Sequence, residues 1–289
     1  MKGGCAMKIR KAQFSGSWYP GNAADCEREI TGFIKSGEAA GESDRPLVGG
    51  IVPHAGWYFS GSIACNVIHR LLGEKQPDVF VVFGMHLHPR SPNYIMIEGA
   101  WETPFGNLEI EEDLAGELTK QFKFNIESAD RFTPDNTIEL QLPFIKYFFN
   151  DVKLVPIGVP PNRESLKVGQ AVADYGKSKG LEMRIIGSTD LTHYGTNYGF
   201  MPKGTGPEAV DWVKSRNDKK LIDALLAMDP ERVIDEGLSN QNACCAGAAP
   251  TALSAAKHLG AVQGETLAYA TSYDKSPGDS FVGYVGVVF

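Results

Sequence analysis

Continuous apolar runs alternate along the chain with stretches in which apolar residues recur every third or fourth position. Runs rich in β-branched residues predict strands at 47–52, 79–83, 93–97, 154–159, 183–186, 267–271 and 282–288. Several, such as Val79-Phe80-Val81-Val82-Phe83, lack polar alternation, the pattern of strands covered on both faces. Helical periodicity predicts helices at 23–35, 61–72, 111–121, 138–149, 164–178, 207–228, 230–236 and 248–259. In the second of these, Ile63, Val67 and Leu71 form a stripe that can pack on a sheet. The alternation of strand and helix predicts an α/β fold, a sheet sandwiched by helices, formed as one domain over residues 1–289. The glycine-rich stretch 195–206 is expected to be a mobile loop.

The chain has 289 residues, 43% hydrophobic and 22% charged, enough apolar material for a large core. A formal net charge of −7 without a long basic run argues against nucleic acid as the main partner, because neutralising phosphates needs clustered Lys and Arg. No stretch approaches the ~20 apolar residues of a membrane span, and the first eight residues lack the apolar run of a signal peptide. A cytoplasmic protein without a membrane partner is expected. Five cysteines, Cys5, Cys26, Cys65, Cys244 and Cys245, are an odd number without metal-knuckle spacing, so free thiols are expected.

Candidate chemistry collects after the strands. His54 ends the run Val48-Gly49-Gly50-Ile51-Val52-Pro53, His86 and His88 follow Val79 to Gly84, and His193 follows Arg184 to Asp190. In open α/β sheets the crevice beyond the carboxyl ends of strands is where ligands bind, so these four histidines can converge. His69 and His258 lie within helical patterns beside basic residues and are read as surface or helix-end side chains. Two neutral imidazoles plus a thiolate or carboxylate suffice to hold a metal ion.

Asp190 stands three residues before His193, a spacing that lets a carboxylate orient a ligand or take a proton while the histidine serves as acid or base. The plainer reading is a helix cap, and the two are compatible. Cys244 and Cys245 precede a small-residue helical stretch, and a helix N-terminus favours thiolate, so either can be a ligand or nucleophile. Inert buried thiols are the alternative.

Several motifs in shared order carry a resemblance: Phe14-Ser15-Gly16-Ser17-Trp18-Tyr19-Pro20, Pro53-His54-Ala55-Gly56, Phe83-Gly84-Met85-His86, Thr103-Pro104-Phe105-Gly106, Ile138-Glu139-Leu140-Gln141-Leu142-Pro143-Phe144, Thr189-Asp190-Leu191-Thr192-His193 and the Cys244-Cys245 segment. They span nearly the whole chain. Together they resemble the MEMO family, also found as AmmeMemoRadiSam system protein B and related to class III extradiol dioxygenases. The resemblance implies a mixed central sheet with helices on both faces, as in those dioxygenases. It also implies metal ligation by His54, His86 and the cysteine segment, the last replacing the glutamate of true dioxygenases, with Asp190 and His193 lining the pocket. Asn136 stands where the family commonly carries a further histidine.

The leading expectation is a metal-binding, dioxygenase-like redox protein in which His54, His86 and Cys245 bind the ion and His193, aided by Asp190, handles protons. His88 and Cys244 are the alternative ligands. The resemblance to the dioxygenases implies iron, whereas thiolate, softer than carboxylate, favours copper or zinc; the cofactor is expected to be iron or copper, with zinc as a further choice. A zinc-dependent hydrolase is a second reading. A third is a non-enzymatic module that takes a peptide or protein partner against Trp18, Trp57 and Tyr58.

Overall fold

The computed structural model describes residues 7–36, 46–73 and 75–289; Cys5 and most of the N-terminal segment discussed above lie outside them. Among the described residues the strands are β1 (Ile9–Arg10), β2 (Gly49–Val52), β3 (Val79–Gly84), β4 (Asn93–Met96), β5 (Ala100–Thr103), β6 (Gly106–Glu109), β7 (Phe124–Glu127), β8 (Lys153–Gly158), β9 (Met183–Ser188), β10 (His193–Tyr194), β11 (Glu265–Thr271) and β12 (Phe281–Val288). The helices are α1 (Ala23–Ser36), α2 (Ser62–Arg70), α3 (Glu112–Gln121), α4 (Asn136–Glu139), α5 (Leu142–Phe148), α6 (Arg163–Lys179), α7 (Pro207–Trp212), α8 (Asp218–Leu226), α9 (Pro230–Asn240) and α10 (Ala248–His258).

The central sheet has nine strands in the order β10-β12-β2-β9-β3-β8-β4-β7, with β11 added to β12. Its heart is parallel, β2 beside β9, β9 beside β3 and β3 beside β8, while β12 and the β4–β8 pairing run antiparallel, so the sheet is mixed. A second sheet joins β1, β5 and β6. Every residue of β2, β3, β9 and β12 is buried, as their mainly apolar runs require, and the two polar residues of β9, Arg184 and Ser188, are hydrogen-bonded there. Helix α2 lies so close to one face that a side chain on Gly50 would collide with Val67, and α10 so close to the other that one on Gly187 would collide with Ala252. The sheet therefore carries helices on both faces.

The expected helix at 138–149 is instead two, α4 and α5, because Pro143 has no N–H to continue the ladder and begins a new first turn. The expected helix at 207–228 runs through α7 and α8 with a π-helical stretch at Val213–Asn217 between them. The strands that periodicity did not signal, β1, β5, β6, β7 and β10, are two to four residues long. Neighbouring strands hold them in register, and none is long enough to display an alternation of its own. Segment 195–206 is a loop with a short 3-10 turn at Thr196–Tyr198.

Candidate metal centre

Strand β9 lies between β2 and β3, and the pairings Val52 with Ser188 and Phe83 with Gly187 bring the carboxyl ends of all three level. The chain leaves β2 into His54, β3 into His86 and β9 into Asp190, three polar side chains on one rim. The turn before α10 brings a fourth contribution. There the Cys244 N–H donates to the Asp190 carbonyl at 3.1 Å and the Cys245 N–H to Thr189 Oγ1 at 3.2 Å. His86 is presented by a residue in a left-handed conformation, Met85 with φ 73°, whose N–H is tied to Thr137 Oγ1 at 2.7 Å. Such a conformation outside glycine costs energy and persists where surrounding bonds impose it.

His54 Nε2 lies 3.2 Å from His86 Nε2 and 3.1 Å from Cys244 Sγ. Cys244 Sγ is in turn 3.9 Å from Cys245 Sγ, and donor atoms of the four residues all lie within 4.8 Å of one another. His54 and Cys245 are buried, Cys244 is half-buried and His86 is exposed, so the group opens to solvent past His86.

The surroundings of His54 determine which nitrogen can act as a donor. Nδ1 is 2.9 Å from Ser188 Oγ, and the single hydroxyl proton of Ser188 goes to the Thr137 carbonyl at 2.7 Å. Ser188 must therefore accept from His54, which puts a proton on Nδ1 and aims the Nε2 lone pair at the other donors. Asp190 accepts the His54 backbone N–H at 2.7 Å, and its other oxygen is 3.9 Å from His54 Nε2. Asn136 Nδ2 donates to the His54 carbonyl at 3.1 Å and Gln141 Nε2 to the Pro53 carbonyl at 3.0 Å, so the turn carrying the imidazole is fixed from both sides.

Burial alone opposes charge here, yet the groups charge each other. Burial opposes ionisation of Cys244, but the Cys245 thiol and the His54 imidazolium outweigh it and hold Cys244 well below the usual thiol range. Burial, reinforced by the neighbouring Cys244 thiolate, pushes Cys245 well above that range. For His54, burial favours the neutral ring, and the Cys244 thiolate and Asp190 carboxylate override it and raise the pKa to about 9. Asp190 is raised, chiefly by burial, with His54 pulling the other way. These opposite shifts favour a proton on His54 Nε2 and a thiolate at Cys244, and a cation bound there would displace that proton and free the Nε2 lone pair. Cys26 and Cys65, buried without such partners, are pushed up to about 12 and are inert by comparison. The four described cysteines are free thiols.

The remaining candidates fall outside the group of donors. His88 is exposed, and its Nδ1 accepts the Arg90 N–H at 3.3 Å. His193 lies in β10, half-buried, with Nδ1 3.2 Å from the Leu191 carbonyl and its ring edge-on to Tyr198. Trp57 is no part of a binding surface: it is 2% exposed and stacks on Phe144 at 4.2 Å in the core, whereas Trp18 and Tyr58 are exposed. The sequence assigned no role to Ser188 and Thr137, and the signal it held was a serine closing the strand after Ile185, Ile186 and Gly187.

The donor set is chemically suited to a transition metal, since imidazole and thiolate together match the ligand preferences of copper, zinc and iron. Among the described residues no helix is long and apolar enough to cross a membrane.

Comparison with known proteins shows the family. The profile of the Memo-like protein family matches residues 10–288. A MEMO1 family protein of Pyrococcus furiosus is 32% identical, over 97% of this chain and 98% of its own length. Relatives from Pyrobaculum aerophilum, over 98% of this chain and 99% of theirs, and Nitrosopumilus maritimus, over 97% and 99%, are each 31% identical. A crystal structure of an uncharacterised protein from Escherichia coli K12 has a similar fold, with a TM-score of 0.54 at 11% identity, covering 84% of this chain and 99% of that one. The chain belongs to the Memo-like family.

Proposed function

We propose that the protein binds a transition-metal ion through His54, His86 and Cys244, and that Asp190 and His193 manage protons for a small-molecule or peptide ligand brought to that ion. The single observation that carries this reading is the convergence of His54 Nε2 on His86 Nε2 and Cys244 Sγ, at 3.2 and 3.1 Å, with the His54 tautomer set by Ser188. The shorter approach to His54 favours Cys244 over Cys245 as the third donor. Iron or copper held there would supply redox chemistry, and zinc would supply Lewis acidity.

The chain's own residues do the rest. Asp190, buried beside Nε2, balances positive charge at the rim and holds the His54 backbone. His193, partly open to solvent, is within the electrostatic reach of Asp190 and is available to exchange a proton with a ligand. The 195–206 loop that follows it, which includes Tyr198 against the His193 ring, borders the approach to that imidazole.

Elemental analysis of protein purified without oxygen tests the reading. Stoichiometric metal in the wild type and its loss in His54→Ala, His86→Ala and Cys244→Ala are expected, with oxygen-consumption assays on catechols and thiols to follow. Unchanged metal content in the His54→Ala and Cys244→Ala proteins overturns it.

A further inference from the structure

The turn before α10 presents two adjacent thiols to the same point, and the three-donor reading uses only one of them. Cys245 is 2% exposed, so its sulfur has no solvent partner, and its backbone is pinned by Thr189 Oγ1 at 3.2 Å. Its Sγ lies 3.9 Å from Cys244 Sγ and within 4.8 Å of the donor nitrogens of His54 and His86. Metal–sulfur bonds of ~2.3 Å and metal–nitrogen bonds of ~2.0–2.1 Å at tetrahedral angles separate two sulfurs by about 3.8 Å and two nitrogens by about 3.3 Å. The separations found are 3.9 Å between the sulfurs and 3.2 Å between the nitrogens. The two pairs already have nearly the spacing that one small tetrahedral ion demands.

We propose that Cys245 is a fourth ligand, so that His54, His86, Cys244 and Cys245 form a closed two-nitrogen, two-sulfur site for a d10 ion, zinc(II) or copper(I). This rests on the metal-binding reading above and narrows it. Two thiolates with two imidazoles are a preferred set for tetrahedral zinc, and the softness of the paired sulfurs suits copper(I) equally. Four protein donors fill the tetrahedron, so a ligand reaches the ion only by expanding it to five-coordinate or by displacing the exposed His86. The exposed His86 is the ligand through which the ion enters and leaves, because the other three donors belong to buried or half-buried residues.

X-ray absorption at the metal edge, on protein loaded anaerobically with zinc(II) or with copper(I), counts the sulfur ligands directly. Two sulfurs per metal are expected in the wild type and one in Cys245→Ser, whose smaller side chain preserves the turn. Chelator competition should show Cys245→Ser binding about 100-fold more weakly, at the upper end of the 10–100-fold loss that removing a mere hydrogen-bonding neighbour causes. A wild-type spectrum with a single sulfur, alongside metal loss in Cys244→Ala, overturns the fourth ligand and leaves the three-donor reading standing. Metal retained by His54→Ala and Cys244→Ala overturns both.

Discussion

Ser188 Oγ receives the proton of His54 Nδ1 at 2.9 Å while giving its own proton to the Thr137 carbonyl, so a serine at the end of β9 decides which nitrogen of a histidine beyond β2 is free to act. The two residues are neighbours only because the two strands are parallel and adjacent, with Val52 opposite Ser188.

Replacing Ser188 by Ala should leave the fold intact and weaken metal retention by about 10- to 100-fold, the usual effect of losing a group that orients a ligating imidazole. Competition with a chromophoric chelator measures it. Equal affinity in the two proteins would show that Ser188 does not set the tautomer.

Substitution of Asp190 by Ala leaves the buried His54 N–H without its acceptor, and should destabilise the protein by about 1–3 kcal/mol in urea unfolding. His193→Ala and His88→Ala, in contrast, should keep the full metal content of the wild type, since neither imidazole reaches the donor group. Metal lost from His88→Ala would place that residue among the ligands after all.

Glu139 is fully buried and accepts the backbone N–H groups of Gln13 and Phe14 at 2.7–2.9 Å together with the Tyr19 hydroxyl at 3.1 Å. One carboxylate thus ties the Phe14-to-Pro20 segment to α4. Glu139→Ala should cost about 2–3 kcal/mol and Tyr19→Phe about 1 kcal/mol, by the cost of unmet and lost hydrogen bonds respectively. Denaturant midpoints of the two variants check both numbers, and a larger loss for Tyr19→Phe would contradict the assignment.

Asp218 is buried beneath the His193 turn, accepting from the Thr192 N–H and hydroxyl and from the Tyr269 hydroxyl. Burial is the chief cause of its rise from 3.8 to about 6. Between these values the folded state holds a proton that the unfolded state has released, so the stabilising contribution is full below pH 4 and is lost as the pH rises through 6. A shift of this size corresponds to roughly 3 kcal/mol. Asp218→Asn, which imitates the protonated form, should therefore gain stability relative to the wild type between pH 4 and 7, measured by urea unfolding at each pH. A difference independent of pH would mean that Asp218 titrates normally.

The chain's pattern was sufficient for the central strands β2, β3, β8, β9 and β12 and for the long helices, because strands covered on both faces must be continuously apolar and helices packed on one side must repeat every 3.6 residues. It also marked His54 and His86 as candidates, since a polar residue at the end of an apolar run has little structural reason to be there, and the cysteine pair by its place before a helix, where thiolate is favoured. The short strands were not legible, because their stability comes from neighbours far along the chain. Nor was the order β2-β9-β3, which interposes residues 183–188 between two earlier strands and so sets Asp190 and Ser188 beside His54. Residue types are properties of the sequence, but distances of 3 Å between residues 190 positions apart, as between His54 and Cys244, are settled only when the helices and sheet pack around a common core. Which histidine nitrogen is free, which sulfur is charged and which imidazole meets solvent follow from that packing, because each depends on the hydrogen-bond partners and the burial that the folded chain provides.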